Sequence, residues 1–160
     1  MPVPQGKMYL DTNLGLGHIA DTSIQQVFTE PASETIIFGA PLAYTDDQQA
    51  VKVAGATDKV IGIARALEGL KDDFGGFGMV ETAGHFLKDE PVSVLTTGSI
   101  VVAVSTDVEK GQQAVVSTDG TFAVYTADTD EPSTEATGTP VGVFRTSGVA
   151  GNTAVLHVNL

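Results

Sequence analysis

The sequence predicts an all-β protein: a compact antiparallel β-sandwich or small β-barrel with an extended N-terminal arm. Three observations carry this expectation. From Glu34 onward, short runs rich in Val, Ile and Thr recur at hairpin spacing, divided by Gly, Asp and Pro. Eighteen glycines against seven Phe, three Tyr and no Trp favour tight turns over long helices. Two segments, Gly39 to Arg65 and Gly120 to Arg145, also echo one another. Gly39, Tyr44 and Thr45 match Gly120, Tyr125 and Thr126 at an offset of 81, and Gly62-Ile63-Ala64-Arg65 answers Gly142-Val143-Phe144-Arg145 at 80. Each segment reads as strand, acidic turn, strand, which is the mark of a reused β-motif.

Residues 1–33 have a different texture. Met8, Leu10, Leu14, Leu16, Ile19, Ile24 and Val27 are scattered among Gly, Pro, Asp and Gln without a sustained period, so the segment is read as an extended arm. Asp21 to Val27 allows a short helical turn capped by Asp21 or Thr22. The alternatives are a disordered tail or a first strand tucked against the domain.

Residues 34–160 form the expected single β-domain. Its strands are Thr35–Phe38, Pro41–Tyr44, Ala50–Val53, Val60–Ala64, Pro91–Leu95, Ser99–Ser105, Gln113–Ser117, Thr121–Thr126, Val141–Thr146 and Thr153–Leu160. Gly98-Ser99 falls in an expected hairpin turn between two of them. Asp119-Gly120 is the strongest turn, because a two-residue type I′ loop needs positive φ at both central positions, which Asp tolerates and Gly accepts freely. In the last strand Ala154, Leu156, Val158 and Leu160 share one face, marking it as core. Residues 71–84, around Gly75-Gly76-Phe77-Gly78, and 127–138, with Asp128, Asp130, Glu131 and Glu135, are the expected long loops.

A chain of 160 residues can bury roughly 70% of its unfolded surface and needs no metal or disulfide to hold it. It has no cysteine, which excludes thiol catalysis and thiolate metal sites and suits a reducing compartment. Its net charge of −12 repels phosphate backbones and anionic bilayers alike, so neither nucleic acid nor membrane is an expected partner. The N-terminus lacks the basic start and apolar core of an export signal, and Ile100 to Val104 is too short to cross a bilayer.

The chemistry-bearing residues do not converge. His18, His85 and His157 lack the spacing that presets a metal site and are read as solvated or hydrogen-bonded. Asp46-Asp47 and Asp72-Asp73 are adjacent pairs whose side chains diverge, as turn residues do. Calcium at Asp128, Asp130 and Glu131 lacks the loop frame that such sites use. There is no G-x-S-x-G, no P-loop and no dinucleotide fingerprint. Tyr44 and Tyr125 are read as core or rim aromatics at strand ends. The expectation is a non-enzyme without cofactor or metal.

The stretch Glu34-Thr35-Ile36-Ile37-Phe38-Gly39-Ala40-Pro41-Leu42-Ala43-Tyr44 is followed by Ala56-Thr57-Asp58-Lys59-Val60-Ile61-Gly62-Ile63-Ala64. With Gly17-His18-Ile19-Ala20-Asp21 before it and Asp89 to Val94, Gly98, Val102, Val104, Val108, Gly111 and Val115 after it, this order resembles the head-decoration, or structural cement, proteins of tailed bacteriophages. The similarity covers most of residues 17–160, and His18 departs from the small or apolar residue of the pattern. The resemblance implies a virion structural protein without catalytic residues, made in the host cytoplasm. It would decorate the outer surface of an icosahedral capsid and bridge neighbouring major capsid protein subunits as a homo-oligomer, dimer or trimer. The expectation for the arm is that residues 1–33 order on docking and lay Tyr9, Leu10, Leu14, Ile19 and Val27 across a neighbouring subunit. The competing reading is a β-rich surface or pilus-like adhesion module binding a glycan or protein; missing export signal and sparse aromatics weigh against it. A small β-fold enzyme with sites at subunit junctions is the third.

Overall fold

The uncharged, β-branched run Pro91–Ala103 forms a single strand, β7, of 13 residues in the computed structural model, which describes residues 15–66, 84–126 and 138–160. Among the described residues there are eleven strands and no helix. The others are β1 (Gln26–Pro31), β2 (Ile36–Ile37), β3 (Pro41–Tyr44), β4 (Val51–Val53), β5 (Gly62–Ala64), β6 (His85–Phe86), β8 (Gln113–Val116), β9 (Phe122–Val124), β10 (Gly142–Phe144) and β11 (Thr153–Asn159). Nine of them form one antiparallel sheet in the order β4-β3-β5-β7-β11-β10-β8-β9, with β1 added on β7; β2 and β6 form a separate ribbon.

Both edges of β7 are occupied along its length. Leu95 lies opposite Val27 of β1 and Ile63 of β5, and Ile100 lies opposite Ile19 and Leu156 of β11. Residues 17–31 therefore run antiparallel along one edge, while β11 and β5 follow each other along the second. At mid-strand the register slips: Gln26 faces Thr97 but Val27 faces Leu95, leaving Thr96 unmatched as a β-bulge. Gly98 follows at φ 139, a backbone conformation that side chains rarely adopt.

The bulge decides which side chains meet. Strand residues alternate between faces, so without an extra residue Val94, Ile100 and Val102 would all point one way. Instead Val92 and Val94 enter a cluster with Ile36, Phe38, Leu42, Val51 and Phe86, whereas Leu95, Ile100 and Val102 enter a second one with Phe122, Phe144 and Leu156. The Phe38 and Phe86 rings meet edge to face, centroids 5.0 Å apart. Each half of the sheet curls around its cluster as a half-barrel. Parallel bridges Ala32 to Val51 and Val104 to Phe122 bring the outer strand of each half back to the chain.

The sequence echo survives as local geometry. Gly39 and Gly120 both hold positive φ, 79° and 74°, at the entry to β3 and β9. Gly62 on β5 and Gly142 on β10 both sit where the adjacent strand leaves no room for a Cβ. An added methyl at Gly62 would meet the Leu95 carbonyl oxygen at 2.8 Å, and one at Gly142 would strike the His157 carbonyl. Connectivity differs, because β3 pairs directly with β5 while β10 pairs with β8 and not with β9.

Three local expectations are corrected. Gly98-Ser99 is not a hairpin turn; the bulge carries the chain through it in one strand, fusing two expected strands. Asp119-Gly120 is not a two-residue type I′ loop. Gly120 alone has positive φ, its amide donates to the Ser117 carbonyl, and the Ser117 amide bonds Thr121, giving a three-residue loop closed by a left-handed glycine. Asp21 does not cap a helical turn: its carboxylate accepts the Ser23 amide at 2.8 Å and closes an Asx turn instead. The expected loops at 71–84 and 127–138 fall almost wholly outside the described residues.

The crowding at the two echoed glycines is testable by equilibrium unfolding in urea. Gly62→Ala and Gly142→Ala should each lower stability by about 1–3 kcal/mol through overpacking. Gly55→Ala, whose methyl would meet only Asp58 Oδ2 at 3.7 Å, should stay within about 0.5 kcal/mol of the wild type.

Candidate functional site

Of the five residues assigned to the arm, Tyr9, Leu10 and Leu14 lie outside the described residues. Ile19 and Val27 belong to the sheet. Ile19 bridges Ile100 and packs, half-buried, against the second cluster. Val27 sits on β1 opposite Leu95 with 40% of its surface exposed. Residues 17–31 are held because they supply hydrogen-bond partners to an edge of β7 that would otherwise be bare. The Gly17 amide donates to the Val101 carbonyl at 2.8 Å, the Val101 amide to His18 at 3.0 Å, and the Ala20 amide to Ser99 at 2.9 Å. The first strand tucked against the domain is thus β1, and the chain leaves the described structure at Gly15.

This held segment is pinned by a polar network that the sequence did not announce. Ser99, fully buried on β7, places its hydroxyl 3.1 Å from His157 Nδ1 on β11 and also bonds the Asp21 carboxylate. Burial alone would raise the Asp21 carboxyl, but hydrogen bonds from Ser23 and Ser99 and the nearby His157 outweigh it and hold the group below its ordinary value. With Asp21 ionised, the Ser99 hydroxyl donates to it, and the serine oxygen is left to accept from His157. Next to the pin, Ala20 packs on Val101 and Val155 in a third, smaller cluster. The order is carboxylate, serine, imidazole, and the serine is inaccessible, so this is a structural fastening and not a nucleophile with its base.

Where the two half-barrels meet, a groove of about 270 Å³ opens beside the point of chain exit. Leu16, Ile37, Phe38, Ala40 and Val53 line it, with Gly39 and Gly120 of the echo and Asp119 at its polar side. The Tyr44 hydroxyl at the end of β3 donates to Glu30 at 3.2 Å, so this aromatic sits at the rim. Asp47 accepts from Thr45 and from the Gln49 amide, as a turn carboxylate does. Among the described residues no group of three or more His, Asp or Glu could hold a metal ion. Asp72, Asp73, Asp128, Asp130 and Glu131 lie outside them.

This β-domain leaves several large apolar side chains on its outside, Ile24 being 82% exposed. The comparisons give it a family. The model of the structural cement proteins (E217 gp24/Pam3 gp6) matches residues 5–159, and the chain belongs to that family. Five solved chains resemble it. One is from the capsid of Myoviridae phage XM1, with TM-score 0.57 and 16% identity over 91% of this chain and 90% of that one. A second is the head fiber gp8.5 N base of bacteriophage phi29, with TM-score 0.50 and 18% identity over 85% of this chain and 95% of that one. At such identities the likeness is one of fold. No curated protein matches the sequence significantly.

The pin predicts an acid-sensitive increment of stability. A depressed carboxyl contributes above its unfolded pKa, ordinarily 3.8, and the contribution is lost as pH falls through the lower folded value. Asp21→Asn should therefore lose stability at neutral pH and show a flatter fall in melting temperature below about pH 4 than the wild type. Ser99→Ala should cost about 1–3 kcal/mol, since it leaves two polar groups without their buried bridge.

Proposed function

We propose that this protein decorates and cements the outer surface of an icosahedral phage capsid, bridging neighbouring major capsid protein subunits. Membership of the structural cement family across residues 5–159 is the observation that carries this reading. The fold supports it physically. Two cores share one strand, and with no cysteine the chain has no disulfide that a change of redox environment could break, which suits a lattice that passes from cytoplasm to the outside. The net charge of −12 keeps such a protein soluble at high copy number and turns it away from packaged DNA.

Cementing is a linkage effect. A ligand that binds the assembled lattice but not its dissociated subunits stabilises the lattice by RT ln(1 + [L]/Kd), about 2.7 kcal/mol per site at a hundredfold excess over Kd. Contact with the shell is assigned to Tyr9, Leu10 and Leu14, which precede the exit at Gly15, with Val27 as an exposed neighbour on the domain. Ile19 acts from within, anchoring the base of that segment. A dimer or trimer multiplies weak docking contacts through avidity and belongs over a lattice symmetry point. The protein is accordingly a component of the virion, made in the host cytoplasm before docking.

Co-sedimentation with purified capsids lacking the protein tests the reading. Full-length protein should pellet with the shells and raise the temperature at which they release DNA. The chain lacking residues 1–14 should fold, as judged by its melting temperature, and bind at least tenfold more weakly. Undiminished binding would remove the arm from the mechanism, and full-length protein that ignores shells would overturn the function.

A further inference from the structure

Among the stretches of this acidic chain that contain no Asp, Glu, Lys or Arg are 22–29, 91–106 and 146–160, beside others such as 35–45. The fold lays the first three side by side. Thr97 has Gln26 on one edge and Asn159 on the other; the Thr96 hydroxyl reaches the Gln26 carbonyl at 3.2 Å, and the Leu160 amide donates to the Thr96 carbonyl at 3.0 Å. The result is a band without charged side chains across the first part of β1, β7 and β11, bounded by Glu30 on β1. Ile24 is 82% exposed within it, Leu160 45% and Val27 40%.

At the margin of this band, β1 is an open edge. Its inner side is taken by β7, and among the described residues no strand pairs with its outer side. The chain approaches β4 only beyond the strand, where Ala32 bridges Val51 and the Ser33 amide bonds the Val51 carbonyl. Soluble proteins guard such edges with lysine, proline, a bulge that turns the edge away or a covering loop. Residues 24–29, Ile-Gln-Gln-Val-Phe-Thr, have neither charge nor proline; Glu30 and Pro31 come only at the far end. The slip between Gln26 and Val27 is formed on β7, where it serves the core.

We propose that the outer edge of β1 is the self-association surface of this protein, on which a second copy lays its own β1 antiparallel across a two-fold axis. Charge selects that occupant. Two bodies each carrying −12 repel one another wherever their carboxylates approach, and the residues 22–29 beside this edge carry none. Antiparallel pairing of identical strands closes on itself, so the contact ends at a dimer and does not grow into a fibre. With the axis at Phe28, Glu30 faces Gln26 of the partner subunit, and no carboxylate opposes another. The inference deepens the docking reading by naming how copies join, yet it stands on the edge strand and needs no shell.

Sedimentation velocity over roughly 1 to 100 µM tests it on the full chain, with Val27→Lys and Thr29→Lys as separate variants and Val149→Lys as the control on a distant exposed residue. The wild type and the control should sediment as a dimer. Each β1 variant should weaken the dimer at least tenfold while keeping the wild-type melting temperature and circular dichroism. A monomeric or trimeric wild type, or a dimer indifferent to both lysines, would overturn the proposal. Capsid co-sedimentation separates the two readings. Wild type that binds shells as a monomer sinks the dimer and leaves the docking intact, whereas a β1-dependent dimer that ignores shells does the reverse.

Discussion

The structure depends on one strand that must satisfy hydrogen bonds on both edges while serving two cores. β7 does this by inserting one residue. A regular strand of 13 residues would send its even-numbered side chains to a single face, and Val92, Val94, Ile100 and Val102 would crowd one cluster. The unmatched Thr96 reverses the alternation, and Gly98 lets the backbone take the path that follows. Everything else is placed relative to that switch. β5 and β11 share the second edge of β7 end to end, and each leads into one half of the sheet, packed on its own cluster. The echoed glycines occur at different distances from this axis, Gly62 on β5 directly beside β7 and Gly142 on β10 beside β11, and at each a carbonyl of the neighbouring strand occupies the space of a Cβ.

The strands themselves were legible because their side-chain pattern is local. Pro41–Tyr44 matches without a shift, and the alternation of the last strand places Ala154, Leu156 and Val158 in the core; Leu160, expected on the same face, is 45% exposed, and Val155 on the other face is buried against Val101. What escaped was non-local. A Gly between two Val-rich runs looks like a turn when only sequence neighbours are considered; it is the pairing of Gln26 and Val27 with Thr97 and Leu95 that makes it a bulge. Residues 17–31 looked like an arm for the same reason. Their apolar positions follow no period because the segment crosses a bulge and closes an Asx turn at Asp21, and its purpose, to cover an edge of β7, is written in β7. The network of Asp21, Ser99 and His157 joins residues far apart in the chain, each unremarkable beside its own neighbours.

The functional surface was readable only in outline. The charge weighed against nucleic acid and anionic bilayers as partners, and the order of short Gly, Ala and Val motifs resembled the family that the comparisons then gave. The charge-free band is visible in the sequence as three separate gaps among the carboxylates, but nothing local says that 22–29, 91–106 and 146–160 become adjacent. Topology supplies that.

The antiparallel course of residues 17–31 along β7 also has a mechanical meaning. A pull applied at Gly15 and directed along β7 is borne by the ladder from the Gly17–Val101 bond to the Pro31–Pro91 pair all at once, in shear. Pulled across the strands, the same ladder would open one bond at a time. The hold on this segment is therefore strong in one direction and weak in another, and that asymmetry is set by the direction of its hydrogen bonds across β7.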